Sequence, residues 1–148
     1  MNKINDIRLI DITVIRFHLE NPTGRDIQPE SVDFSYGFDF GLSRRNKICR
    51  VTFDCSIEEK KCEVPAEGIK GSFTIIYLFR LGDTGFTEGI EKNSPAILDF
   101  DIALAMANLA YSTSRGIIYT RCEENGIGAA ILPVLYTADL EKILRHSH

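Results

Sequence analysis

The clearest pattern in the chain is an alternation of large apolar and small or polar residues from 32 to 42. Val32, Phe34, Tyr36, Phe38, Phe40 and Leu42 take the even positions, and Asp33, Ser35, Gly37, Asp39 and Gly41 take the odd ones. A period of two puts all six large side chains on one face of a β-strand. A second run follows the charged turn Ser43 to Lys47. There Cys49, Val51, Phe53, Cys55 and Ile57 alternate with Arg50, Thr52, Asp54 and Ser56, so the two runs read as a hairpin. An earlier run, Leu9 to Glu20, starts in one phase with Ile10, Ile12 and Val14 and ends in the other with Phe17 and Leu19. A phase slip inside one strand predicts a β-bulge, because one extra residue reverses every later side chain. A fourth run, Ser72 to Leu81, places Phe73, Ile75, Tyr77, Phe79 and Leu81 on one face and Thr74, Ile76, Leu78 and Arg80 on the other. It is apolar on both faces at its centre, which predicts cover on both sides.

The period then changes. Ser94-Pro95 is a helix start, a capping serine with proline at the first helical position. The helix is predicted to run to about Glu124, where Asn125-Gly126 stops it. Its polar side is narrow: Asp101, Asn108, Ser112, Arg115 and Tyr119. Ala103, Ala107, Ala110 and Ser114 form a small-residue stripe, flanked by large apolar residues on both sides. The apolar arc is about twice the ~100° that one sheet covers. Two covers are open for the surplus. One is a second copy of the same helix, packed closely along the small-residue stripe. The other is the terminal segment Leu140 to Leu144. The first is preferred here, because the terminal segment offers few large side chains. The expected fold class is therefore α+β: a four-stranded antiparallel sheet, one long helix and a short C-terminal helix, in one domain spanning 1–148.

The totals narrow the function. The 148 residues are 44% hydrophobic and 26% charged, with a formal net charge of -4. That balance lacks the basic surplus of a nucleic-acid binder. The local basic run Arg44-Arg45-Asn46-Lys47 reads as a solvated hairpin turn. No run approaches the roughly 20 apolar residues of a membrane helix. Residues 1–10 hold Lys3, Asp6 and Arg8 and no signal-peptide core, so a cytoplasmic location is expected. In that compartment Cys49, Cys55, Cys62 and Cys122 are expected as free thiols, and no close C-x2-C pair suggests zinc.

Candidate chemistry is sparse. The histidines are His18, His146 and His148, two of them at the chain end. Any Cys-His or Ser-His pair would depend on His18, which reads as a solvated strand residue between Arg16 and Glu20. Gly82-Asp83-Thr84-Gly85 lacks the Lys-Ser/Thr ending of a phosphate loop. Asp99 and Asp101 stand about 200° apart on a helix and form no carboxylate pair. No catalytic residue, metal site or cofactor is assigned.

The order of these parts resembles the SecB export-chaperone family. Ile7-Arg8-Leu9-Ile10, then Phe17 and Asn21-Pro22, is similar to the family's first strand and closing turn. Arg50-Val51-Thr52 sits where the family has Arg-Val-Thr, and Ser94-Pro95-Ala96-Ile97-Leu98 is similar to its Cys-Pro-Asn-Ile-Leu helix opening. Arg115, Ile118, Gly126, Leu132-Pro133-Val134 and Asp139-Leu140 follow the family's closing pattern. The resemblance implies an ATP-independent holdase: a homodimer or homotetramer that binds unfolded polypeptide clients without catalysis. It implies a translocation motor or a toxin-antitoxin system as further partners. The acids with which the family docks its motor fall near Val14, or Arg16 and His18, and are not reproduced. Peptide binding is expected at Ile76, Tyr77, Leu78 and Phe79 with Phe86 and Ile90 of the following loop. Ile76 and Leu78 are the first choice of face, and Tyr77 and Phe79 take their place if the faces are reversed. The oligomer interface is expected at Ala103, Ala107, Ala110 and Ser114. Two other classes stay open, a hot-dog-type thioesterase-like enzyme and a purely structural interaction subunit.

Overall fold

The structure is a computed structural model, and it describes residues 7–22, 24, 31–43, 45–60, 63–64, 68–82, 100–125, 132–133 and 135–146. Four strands form one antiparallel sheet: β1 (Ile7–Glu20), β2 (Val32–Ser43), β3 (Ile48–Glu59) and β4 (Lys70–Leu81). The order across the sheet is β1-β4-β3-β2, so β1 and β2 are its two edges and the chain passes from one edge to the other between them. Among the described residues a long helix α1 (Phe100–Glu124) and a short helix α2 (Thr137–His146) follow the sheet. The α+β architecture is the one that the alternating runs and the later change of period predict. The expected helix opening at Ser94-Pro95 lies outside the described residues, as does the loop with Phe86 and Ile90.

Strands β2 and β3 form the predicted hairpin, with Phe38 opposite Phe53 and Val32 opposite Glu59. Lys47 closes the turn with a left-handed backbone (φ 55°), and its carbonyl accepts from the Leu81 N–H at 2.9 Å. In β1 the register slips twice, between Leu9 and Asp11 and between Val14 and Arg16. The second slip is the bulge that the phase change predicts. The first escaped the alternation, because Ile10, Ile12 and Val14 look continuous although Ile10 is the extra residue.

One face of the sheet is the core. Cys49, Val51, Phe53, Cys55 and Ile57 of β3 and Phe73, Ile75, Tyr77, Phe79 and Leu81 of β4 are all buried on it. Helix α1 lies across that face, and its buried side is the small-residue stripe itself: Ala103, Ala107, Ala110 and Ser114, with Met106 and Tyr111 beside it. Small side chains let the helix backbone come down close to a layer of aromatics. Tyr111 meets Phe53 edge-on at 5.8 Å and tilts against Tyr36 at 5.4 Å. The Tyr77 hydroxyl shares a buried hydrogen bond with the Ser114 hydroxyl. The stripe is thus filled by the chain's own sheet and does not form a seam for a second helix. The expectation that placed an oligomer interface there is corrected by this packing.

The terminal helix takes part of the surplus that the wide apolar arc presents. Leu140 and Leu144 are buried, Arg145 lies over the Phe100 ring at 4.4 Å, and a cleft lined by Leu104, Asn108 and Leu140 marks the seam between α1 and α2. The segment leading to α2 is tied to α1 by two bonds. Arg115 Nε donates to the Leu132 carbonyl at 3.0 Å, and the Tyr111 hydroxyl donates to the Pro133 carbonyl at 2.6 Å. The helical arginine and the Leu-Pro pair of the closing pattern therefore meet in space. Among the described residues no helix is long and apolar enough to cross a membrane, and no group of three or more His, Cys, Asp or Glu is placed to hold a metal ion.

Candidate functional site

The two faces of the sheet now have different characters. Away from α1, the open face is mostly polar: Asp33, Ser35 and Asp39 of β2, Arg50, Thr52, Asp54 and Ser56 of β3, and Ser72 and Thr74 of β4. The Thr74 hydroxyl donates to Asp54 Oδ1 at 2.6 Å. Ile76 and Leu78 stand half-buried in this face, with Thr52, Thr13, Arg50 and Asp11 as their cross-strand neighbours. Tyr77 and Phe79 are on the other face, wholly buried under the helix. They cannot line an open groove while α1 is seated, so of the four β4 residues expected to bind peptide only Ile76 and Leu78 reach the surface. Phe86 and Ile90 lie outside the described residues.

Among the described residues, most of the large apolar side chains left exposed are on β1 and α1, the others being Val64 and Tyr136. Ile10, Ile12 and Ile15 are 43%, 39% and 56% exposed, and Leu109 on α1 is 44% exposed. The sequence explains why they are stranded. Ile10 and Ile15 are the extra residues at the two slips, so neither has a partner across β4. Ile12 lies on the helix side of the sheet, but on an edge strand that α1 does not fully cover. On α1, Leu109, Thr113, Gly116, Ile117 and Thr120 recur at three- and four-residue spacing and form one flank. From Thr113 to Thr120 that flank faces Val14 across a groove of about 620 Å³, whose far end carries Arg121 and Glu124. There the Arg121 guanidinium sits 5.4 Å from the Phe17 ring centroid, which closes the groove with a cation–π contact.

This strip was legible in part. Two adjacent aliphatic pairs, Leu9-Ile10 and Val14-Ile15, interrupt an otherwise alternating strand. Each pair marks a place where one side chain must leave the packed face. Edge strands normally carry charge or proline outward to prevent pairing with other chains. Here the charged residues of β1, Arg8, Asp11, Arg16, His18 and Glu20, pair with the polar-face residues of β4 or stand beside them, and the helix side carries Ile7, Leu9, Ile12, Val14, Phe17 and Leu19. His18 Nε2 lies 3.1 Å from Glu20 Oε1, with both side chains exposed.

The buried polar groups are poor candidates for reaction chemistry. Burial pushes the Cys49 and Cys55 thiols up to about 12 and the Cys122 thiol up to about 11. Burial likewise pushes the Tyr77 hydroxyl up to about 12, against a smaller opposing pull from its bond to Ser114. Thiols held neutral are weak nucleophiles. The shifts have a consequence for stability. The unfolded chain releases these thiol protons near pH 9, whereas the folded chain holds them to about 11 to 12. The stabilisation is complete below pH 9 and is lost as the pH rises from there. Urea midpoints are expected to be level from neutral pH to about 9 and then to fall. A midpoint that held steady well above that range would show that the thiols are not buried as described.

No protein-family model and no curated protein matches the chain. Among solved structures it is similar to the Mycobacterium tuberculosis Rv1957 SecB-like chaperone, solved in complex with a ChAD peptide from the Rv1956 HigA1 antitoxin. The identity is 14% and the TM-score 0.61, over 89% of this chain and 91% of that one. A protein of unknown function from Streptococcus agalactiae aligns over 79% of this chain and 87% of its own, at 11% identity and a TM-score of 0.43. The first likeness covers nearly the whole of both chains and shows a shared SecB-like fold.

Proposed function

We propose that on this SecB-like fold the chain is a subunit of an ATP-independent holdase, a cytoplasmic, non-enzymatic homo-oligomer that binds unfolded polypeptide. The observation that carries the reading is the uncovered apolar strip of β1 and α1. Apolar surface of this kind, left open beside an unpaired strand edge, is a contact site for other polypeptide. A client segment can seat apolar side chains along the groove between β1 and α1. Val14 and Ile117 offer the apolar walls, and Arg121 and Glu124 offer charge at one end. Each contact is weak and indifferent to sequence, which suits a chaperone more than a receptor.

Self-association belongs to the same reading. Ile10 and Ile15 stand symmetrically about the Ile12–Thr13 peptide. A two-fold axis there sets Ile10 of one copy against Ile15 of the other, the self-complementary arrangement of an isologous dimer. Such pairing places two β1–α1 grooves on either side of the axis and enlarges the surface for a client. The solved SecB-like chaperone holds an antitoxin peptide, which supports an antitoxin segment as one class of client here. Motor docking has less support, since the open face carries acids and bases in similar number, with Asp11, Glu20, Asp33, Asp39, Asp54 and Glu58 against Arg8, Arg16, Arg50, Lys70 and Arg80.

The purified chain is expected to suppress aggregation of a chemically unfolded protein with no nucleotide added. Leu109→Asp with Ile117→Asp is expected to weaken client binding at least about tenfold, as loss of two apolar contacts implies. Ile15→Lys is expected to lower the association state measured by light scattering. A Leu109/Ile117 double variant that stays folded and holds clients as well as wild type would remove the groove from consideration. A wild-type chain that is monomeric at micromolar concentration would remove the assembly.

A further inference from the structure

The polar face of the sheet carries one arrangement that the fold does not need. Arg8 of β1 and Arg80 of β4 are direct cross-strand partners on that face, and both are exposed. Side chains in such a pair have Cβ atoms about 5 Å apart, and like charges placed so are destabilising. Among the described residues neither guanidinium has a carboxylate partner. In the next row of the sheet Arg50 of β3 lies opposite Leu78, and Leu78 lies opposite Asp11. Arg50 is only loosely engaged: its Nη2 is 3.8 Å from Asp39 Oδ2, and its head group lies over Gly41, where any Cβ would come within 2.9 Å of it. The nearest acid in register, Asp11, accepts from the Thr13 hydroxyl at 3.3 Å. Arg80, Arg50 and Asp11 thus border Leu78, with Arg8 diagonal to it and Ile76 half-buried one row further on.

We infer that this corner of the polar face is a docking site for an acidic segment of a partner protein, one whose carboxylates flank an apolar residue. The Arg8–Arg80 pair forms a fork for a carboxylate, since guanidinium heads bind carboxylates through paired, charge-assisted hydrogen bonds. Such a ligand turns the repulsion between the two arginines into shared attraction. Leu78 and Ile76 supply the apolar floor for the residue between the acids. The charge of the rest of the face decides between an acidic peptide and a nucleic acid. At the opposite end of the same strands Glu20, Asp33 and Glu58 share the surface with Lys70. A polyphosphate tracking across the sheet meets those acids, and the whole chain has a net charge of -4. A short acidic segment meets the arginine corner, where Arg8, Arg50 and Arg80 outnumber Asp11. This site lies on the opposite face from the β1–α1 groove and stands independently of the client reading.

The test uses the full chain and a fluorescent short peptide of glutamates and aspartates around a central leucine. The amide version, with glutamine and asparagine in place of the acids, and a short single-stranded oligonucleotide serve as the other arms. The acidic peptide is expected to bind, and the amide peptide is not. Arg8→Gln with Arg80→Gln is expected to weaken binding at least about tenfold, in line with the loss of two charge-assisted bonds. The same double variant is expected to be no less stable to urea than wild type, because a like-charge pair has been removed. Leu109→Asp with Ile117→Asp, on the other face, is expected to leave this binding unchanged. Equal binding of the acidic and amide peptides, or equal binding by the arginine double variant, overturns the proposal. So does an oligonucleotide that binds more tightly than the acidic peptide and is lost in the double variant.

Discussion

Phe53→Ala is expected to lower the unfolding free energy by about 3–5 kcal/mol, the usual range for removing a buried aromatic ring. Phe53 is fully buried on the central strand β3, with the rings of Tyr36, Phe38 and Tyr111 centred 6.4, 5.2 and 5.8 Å away. It touches both layers, since Tyr36 and Phe38 come from the neighbouring strand and Tyr111 from the helix. Truncation removes the transfer energy of the ring and leaves a cavity that the sheet cannot close, because a backbone ladder on either side holds β3 in place. A loss of this size is a large share of the about 5–15 kcal/mol that a typical domain has in total. Phe53→Leu retains part of the volume and is expected to cost less, which keeps the comparison measurable if the alanine variant is partly unfolded. Urea midpoints followed by circular dichroism give both values. An alanine variant within about 1 kcal/mol of wild type would mean that α1 does not seat on the sheet at this point.

Ala107→Leu is expected to cost about 1–3 kcal/mol through overpacking. Its association state is expected to match that of wild type. Ala107 has no exposed surface, and its neighbours along the stripe, Ala110 and Ser114, have none either. The Ser114 hydroxyl meets Tyr77 from the sheet, so the helix is held down two turns beyond any bulk inserted at 107. The added side chain must lift α1 or displace the β4 aromatics. The paired measurement is a urea titration together with light scattering. Unchanged stability with a changed association state would return the stripe to a seam between two helices and would contradict the packing described above.

The alternation alone placed all four strands within a few residues of their observed ends. The helix stop at Asn125 was also visible, and there the backbone N–H of Asn125 reaches back to the carbonyls of Arg121 and Cys122 at 3.2 and 3.1 Å. The stripe was visible as well, but its meaning was not. A row of small residues says that something comes close to the helix and does not say what. The aromatic sheet face fills it, because one chain's own sheet is already tethered there and a second copy must bring its helix from solution. The apolar arc was correctly read as wider than one sheet. The short helix α2 covers the Leu104 side of it, and the Leu109–Ile117 side is left beside β1.

What the sequence determined by itself follows from periods. A period of two, then a wide apolar helix, sets an antiparallel sheet with one helix-covered face, since side-chain direction along a strand or helix is a local property. It also set which β4 residues share a face, and that Tyr77 and Phe79 belong with Phe73 and Ile75. The tertiary structure decided the rest, because strand order and register depend on contacts between distant segments. Only the order β1-β4-β3-β2 makes β1 an edge and leaves Ile10, Ile12 and Ile15 without cover. Only the double slip in β1 brings Arg8 opposite Arg80 while Phe17 still meets Phe73, with ring centroids 5.1 Å apart. One slip fewer would turn one end of that strand over, moving its arginine or its phenylalanine to the wrong face.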